Sequence, residues 1–271
     1  MKLTRKFITA GVAGIMALSM TAAVWAAEPK ISDQKVHAGG VKLNIPVVTG
    51  AVGGKEADDK VNLAIDFNIT KKLYNYLPGG GRDPRLQQDY YAEFDGYGGA
   101  KASREFVTDI AGFINRQLQN QAKAAHKAGS HVKQYSLDGN YQVRFNSEEM
   151  LSLEQTYMDY LGGAHPNTYL DTLNVDLRNG RLLTLSDMFK SGSDYLTRLN
   201  TIVARQVAES QQLKGYFNKV EVDGTENFYI TDNAELVLVY PPYAIAPYAA
   251  GTIEFIIPVS QVADIFNFKL E

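Results

Sequence analysis

Few residues in this chain have the types and spacings that chemistry needs. Gly50-Ala51-Val52-Gly53-Gly54-Lys55 has the outline of a phosphate-binding loop. Such a loop needs four residues between its outer Gly and the Gly-Lys pair, then a hydroxyl for magnesium. Here three residues intervene and Glu56 follows Lys55, so a plain strand-to-helix turn is the expectation. His37, His126, His131 and His165 show no H-E-x-x-H or close ligand spacing. No metal and no other cofactor is expected. With no Cys in the sequence, thiolate chemistry, disulfides and lipid attachment through Cys drop out. Glu148, Glu149, Glu154, Asp159 and Asp171 lie on or beside alternating segments. A glycosidase would set two carboxyls about 5 to 9.5 Å apart across a cleft. The simpler reading is the charged outer face of a half-exposed sheet. No Gly-x-Ser-x-Gly elbow is present. No catalytic residue is therefore assigned.

Two segments are more distinctive. Leu161-Gly162-Gly163-Ala164-His165-Pro166-Asn167-Thr168 is a short shaped loop. Its two Gly permit torsions closed to other residues, and Pro166 stiffens the exit. His165 reads first as a ring that bonds local backbone and fixes the turn, and second as a ligand contact. Tyr240-Pro241-Pro242-Tyr243-Ala244-Ile245-Ala246-Pro247-Tyr248-Ala249-Ala250-Gly251 places three Pro and three Tyr in twelve residues. Pro lowers the entropy lost on binding, and Tyr offers a large amphipathic face. That composition suits recognition of a protein or a sugar. A loop packed on its own tyrosines is the competing reading.

The elements that must position these loops follow from periodicity. Lys35 to Val48 alternates as one or two strands, with Pro46 limiting the end to an edge or exit position. A helix fits about Glu56 to Leu77, with Val61, Ile65, Ile69 and Leu73 on one face. Residues 78 to 100 are rich in Gly, Asp and Tyr and read as a long loop. A second helix fits Ala102 to Lys127, with Phe106, Ile110, Phe113, Ile114 and Leu118 buried and Gly129 as its C-cap. Asp138-Gly139 then signals a turn into a strand carrying Tyr141, Val143 and Phe145. Leu151, Leu153 and Tyr157 alternate with Ser152, Glu154 and Thr156, and Asn179-Gly180 marks a two-residue hairpin returning through Leu183 and Leu185. A third helix fits Asp194 to Gln211 with Ser193 as N-cap. The end is β again, around Phe228 to Ile230, Leu236 to Tyr240 and Ile253 to Ile257. The order predicts an α+β fold with mainly antiparallel sheet and helices packed on it. Two closely associated subdomains are expected, residues 27–130 and 131–271.

The front of the chain reads as an export signal. Lys2, Arg5 and Lys6 precede an uncharged run from Phe7 to Val24, and Val24-Trp25-Ala26 offers a cleavage site after Ala26. Residues 1–26 would then leave as a signal peptide, with retention as an anchor the alternative. The mature chain would carry a net charge of about −6, which argues against bulk nucleic-acid binding. The exported protein would be periplasmic or at the cell surface, with no stable membrane span.

Gly162-Gly163-Ala164-His165-Pro166-Asn167, followed by Tyr243-Ala244-Ile245-Ala246-Pro247-Tyr248-Ala249-Ala250-Gly251, resembles the extracytoplasmic domain of the lysozyme-sensing RsiV anti-sigma factors. Leu183-Thr184-Leu185-Ser186-Asp187-Met188-Phe189 fits the same pattern. More weakly, Ile45-Pro46-Val47-Val48-Thr49-Gly50 and Asn62 resemble a companion N-terminal domain also attached to peptidoglycan deacetylases. The resemblance implies an α+β fold in which the two motif loops lie close together on a recognition surface. It implies a non-catalytic envelope binding module for a protein such as lysozyme or for a peptidoglycan fragment. Gly162, Gly163, His165, Asn167, Pro242, Tyr243, Pro247 and Tyr248 are its candidate contacts. Only six residues precede the apolar run, so no sigma-binding segment is expected. The alternatives are a cell-wall glycan hydrolase using the sheet carboxylates and a structural partner in an envelope assembly.

Overall fold

The computed structural model describes residues 28–76, 100–132, 134–211, 213 and 220–268. The expected signal segment and nearly all of the expected 78–100 loop lie outside the described residues; Ala100 opens the second helix. The first alternating segment forms an antiparallel hairpin of β1 (Lys30–Ala38) and β2 (Val41–Thr49). Among the described residues two α-helices follow, α1 (Gly54–Leu73) and α2 (Ala100–Lys127). They span the connection to β3 (Ser136–Asn146), which pairs parallel with β2. Parallel neighbours require a crossover of this length. β4 (Met150–Tyr160), β5 (Asn167–Asp176) and β6 (Arg181–Leu182) then add antiparallel, closing a six-stranded sheet in chain order. Pro46 lies within β2, past Val41–Leu43, the part that pairs with β3.

Both helices pack on one face of this sheet. Val61, Ile65, Ile69 and Leu73 are buried, as the four-residue spacing predicts. So are Ile110, Ile114 and Leu118 of α2. Phe113 is a correction: it stands 36% exposed at the flank of that stripe, with the Arg116 guanidinium 5.8 Å from its ring. Gly129 ends α2 at φ +97, and Ser130 N–H reaches back to Ala125 C=O, so the C-cap is as expected. The Gly50 turn is bound from within. The Asp58 carboxylate accepts the N–H groups of Gly50 at 2.9 Å and Ala51 at 2.8 Å, occupying amides that a phosphate would need.

The second unit holds α3 (Tyr195–Glu209) and an antiparallel sheet of β7 (Asn227–Thr231), β8 (Glu235–Tyr240) and β9 (Ile253–Pro258). Leu199, Ile202 and Val203 of α3 pack with Leu236, Leu238, Phe255 and Ile257 in its core. Asp194, not Ser193, caps α3, accepting Thr197 N–H at 3.4 Å. Leu183 and Leu185 lie past the two-residue β6 and belong to this second core. The architecture is α+β with mainly antiparallel strands.

Three local expectations give way to tertiary packing. Asp138-Gly139 makes no turn and lies inside β3. A Cβ on Gly139 would stand 2.8 Å from Leu43 Cδ2 and 3.2 Å from the Tyr157 ring, so packing, not a turn, demands glycine. Asn179-Gly180 belongs to a four-residue connection between Asp176 and Arg181. The Asp176 carboxylate accepts Arg178 N–H and Asn179 Nδ2–H, and only Gly180 takes positive φ. The third correction concerns the supposed charged outer face of β4. Ser152 and Glu154 are buried because β7 lies across that face, and Asp159 is buried on the opposite face, where Tyr76, just past α1, donates to it. Thr172 Oγ1 accepts Phe228 N–H at 2.9 Å, Ser152 Oγ accepts Ile230 N–H at 3.3 Å, and Asn174 Nδ2–H donates to Phe228 C=O at 2.7 Å. Side chains of the large sheet thus satisfy the free edge of β7, as buried backbone groups require. Arg144 completes the seam, bonded to Glu154 and lying 4.7 Å from the Tyr229 ring.

Candidate functional site

The Tyr240–Gly251 segment leaves β8 and turns back at once. Ala244 N–H bonds to Pro241 C=O at 3.0 Å, closing a four-residue turn. Pro242 and Tyr243 are its central residues, and Tyr243 takes φ +71. Turns with positive φ at the second central position normally place Gly there, because a side chain is strained. Tyr243 is also 68% exposed. An exposed aromatic at a strained position gains little from the fold itself.

The second loop supports this one. The His165 and Tyr248 rings stack at 4.2 Å and 15°, and Tyr248 lies 5.4 Å from Tyr243. Tyr248 donates its hydroxyl to Pro166 C=O at 2.8 Å. His165 Nδ1 sits 2.8 Å from the same oxygen, which can only accept, so Nδ1 carries the proton. His165 therefore fixes its own turn and also buttresses the tyrosines. Gly162 turns at φ +86, and a Cβ there would meet the Tyr135 ring at 3.1 Å. Gly163 needs no positive φ, a correction to the paired-glycine expectation. Pro247 is exposed and precedes the single helical turn Tyr248–Ala250. Asn167 opens β5 and points the other way, donating to the buried Asp159 carboxylate at 2.8 Å. Tyr76 donates to the second oxygen of Asp159 at 2.7 Å. Burial and Asp159 together push the Tyr76 and Tyr169 hydroxyls above their ordinary range.

Beneath the tyrosines runs a groove of about 320 Å³. One wall is β5 from Asn167 to Asp171 and the other is Pro241, Pro242, Tyr243 and Tyr248. Lys72 of α1 enters its side and pairs with Asp171 at 2.9 Å. The sequence did not single out Lys72, Tyr169 or Asn227 for this place. They come from three distant segments, and no local pattern marks them. Asp171 and Asp159 were noted only as strand carboxylates.

Four of the five carboxylates considered for glycan hydrolysis are individually engaged. Glu154 binds Arg144, Asp171 binds Lys72, Asp159 accepts from Tyr76 and Asn167, and Glu149 lies 3.4 Å from Arg178. Among the described residues no cluster of His, Asp or Glu could hold a metal ion.

Comparison with known proteins matches both halves of the chain. Residues 32–168, more than half of it, match the family model described as "Deacetylase PdaC". Residues 186–260 match "Protein of unknown function (DUF3298)". The chain is 24% identical over 188 residues to the anti-sigma-V factor RsiV of Bacillus subtilis, covering 58% of this chain and 62% of that protein. It is 26% identical over 98 residues to the peptidoglycan-N-acetylmuramic acid deacetylase PdaC of Bacillus subtilis, 36% of this chain and 21% of that one. It thus spans less than two thirds of either relative. A DUF3298-family crystal structure from Bacteroides fragilis shares the fold, with TM-score 0.53 and 19% identity over 89% of this chain and 92% of that one.

Proposed function

Since the chain belongs to the RsiV-like two-domain family, a PdaC-type domain followed by a DUF3298 domain, we propose that it is a non-catalytic, exported cell-envelope recognition module. Likeness to an anti-sigma factor fits an extracytoplasmic binding or sensing role. Among the described residues no helix is long and apolar enough to cross a membrane. The partner we propose is a protein of the lysozyme kind, and a peptidoglycan fragment is the competing ligand in the test.

The observation that carries the reading is Tyr243, held proud of the surface at φ +71. Strained, exposed residues persist where function requires them. Pro242 and Pro247 pre-shape the segment, so little freedom is lost on docking. Tyr243 and Tyr248 supply apolar rings, and the Tyr243 hydroxyl adds a hydrogen bond at the contact. Gly162, Gly163 and His165 form the neighbouring rim, and Asn167 holds the start of β5 to Asp159.

Calorimetry against lysozyme and against purified muropeptides tests the proposal. Tight binding to lysozyme that falls by about 2 kcal/mol or more in Tyr243→Ala supports it, the size expected of a central anchor. Binding that survives in a Tyr243→Ala, Tyr248→Ala double variant removes this surface from the account.

A further inference from the structure

The groove wall opposite the tyrosines is a strand edge. β6 pairs only with Val175 and Asp176 of β5, and among the described residues no other strand pairs with the Asn167–Asn174 side that faces away from β4. The direction of its backbone groups follows from one bond. Leu183 N–H donates to Asn174 C=O at 2.8 Å, so the Asn174 backbone groups point away from β4. The β4–β5 ladder runs without a register shift. In an antiparallel ladder the direction alternates residue by residue. Thr168 and Leu170 therefore also turn their N–H and C=O outward, and both line the groove.

Two such pairs, two residues apart, repeat at about 6.8 Å. That is the spacing at which an extended polypeptide presents its own N–H and C=O groups. The groove's charged side chains, Lys72 and Asp171, neutralise each other, so the site suits an uncharged main chain better than a phosphate or an acidic glycan. The facing wall of Pro and Tyr is apolar, as needed beside alternate side chains of an added strand. We infer that the β5 edge captures an extended peptide segment of a partner protein by strand addition, beneath the Tyr243 turn. The inference deepens the recognition reading and rests on the partner being a protein.

A random library of L-decapeptides, screened on the purified protein, supplies the probe. The best binder is then measured against two perturbations. Thr168→Pro removes one outward N–H at an edge position where proline is tolerated, and should weaken binding at least tenfold with an unchanged circular dichroism spectrum. N-methylation of the peptide, one amide at a time, leaves the protein untouched and should weaken binding at every second residue. Absence of any peptide binder, methylation losses without a two-residue period, or displacement of the peptide by Thr168-independent chito-oligosaccharide binding would each overturn the inference. A protein that binds lysozyme through Tyr243 yet binds no peptide keeps the recognition reading and loses this one. Peptide capture without lysozyme binding does the reverse.

Discussion

Replacing Tyr243 with Gly separates a residue kept for binding from one kept for the fold. At φ +71 a Tyr stores on the order of 1 to 3 kcal/mol of backbone strain. Gly removes that strain but adds about 0.5 to 1 kcal/mol of backbone freedom to the unfolded chain. Loss of the ring pair with Tyr248, at 5.4 Å and 37°, costs about 0.5 to 1.5 kcal/mol. The ring is 68% exposed, so little burial is forfeited. These terms nearly cancel, and the variant should unfold within about 1 kcal/mol of the parent, whereas Tyr243→Ala keeps the strain and should be about 1 kcal/mol less stable than the Gly variant. Affinity for the protein partner should fall about 30-fold in both, the equivalent of about 2 kcal/mol. Urea unfolding followed by circular dichroism and calorimetric titration read the two effects separately. A Gly variant destabilised by more than about 2 kcal/mol would show that Tyr243 serves the fold, and one with full affinity would refute the binding role.

The other predictions concern the frame around the site. Asn174→Ala strips the buried Phe228 C=O and Ser152 hydroxyl of a partner each and should cost about 1 to 3 kcal/mol in urea unfolding; a neutral result would mean the two sheets are not held by this seam. Gly139→Ala forces a Cβ against Leu43 and Tyr157 and should lower stability by about 1 to 3 kcal/mol in urea unfolding, and a neutral result would mean that this packing yields to a methyl group. Arg104→Met leaves Asp66, 1% exposed, without the guanidinium that meets it at 2.6 Å, a loss of about 3 to 5 kcal/mol near pH 8. Burial already pushes the Asp66 carboxyl up to about 6, against the pull of Arg104, above its unfolded value near 3.9. The folded state therefore holds the extra proton between about pH 4 and 6, and Asp66's contribution to stability falls as pH rises through that window. The deficit of Arg104→Met should shrink as pH falls from 8 toward about 6 and level off below it, where Asp66 is protonated in both proteins, and a deficit that stays constant from pH 8 to 6 would refute the account.

Sequence periodicity determined the helices and the fold class. Val61, Ile65, Ile69 and Leu73 need one buried face whatever they meet, so their spacing alone places α1. The two loop segments were legible for a similar reason. Gly, Pro and exposed Tyr have torsional and surface preferences that act locally, and Gly162, Pro242 and Tyr243 all stand at turns. Only the tertiary structure decided which polar residues are interior. Ser152 and Glu154 read as an outward face because alternation reports two faces and not what covers them. β7 covers this one, and hydroxyls and amides are favoured there because they satisfy its unpaired edge. Asp138-Gly139 failed likewise: a Gly needed for close packing against Tyr157 carries the same letter as a Gly needed for a turn. The meeting of Lys72, Asp171 and Tyr243 around one groove depends on a crossover and a folded-back turn. Local preferences fix the shape of each segment, but long-range packing decides which segments share a surface.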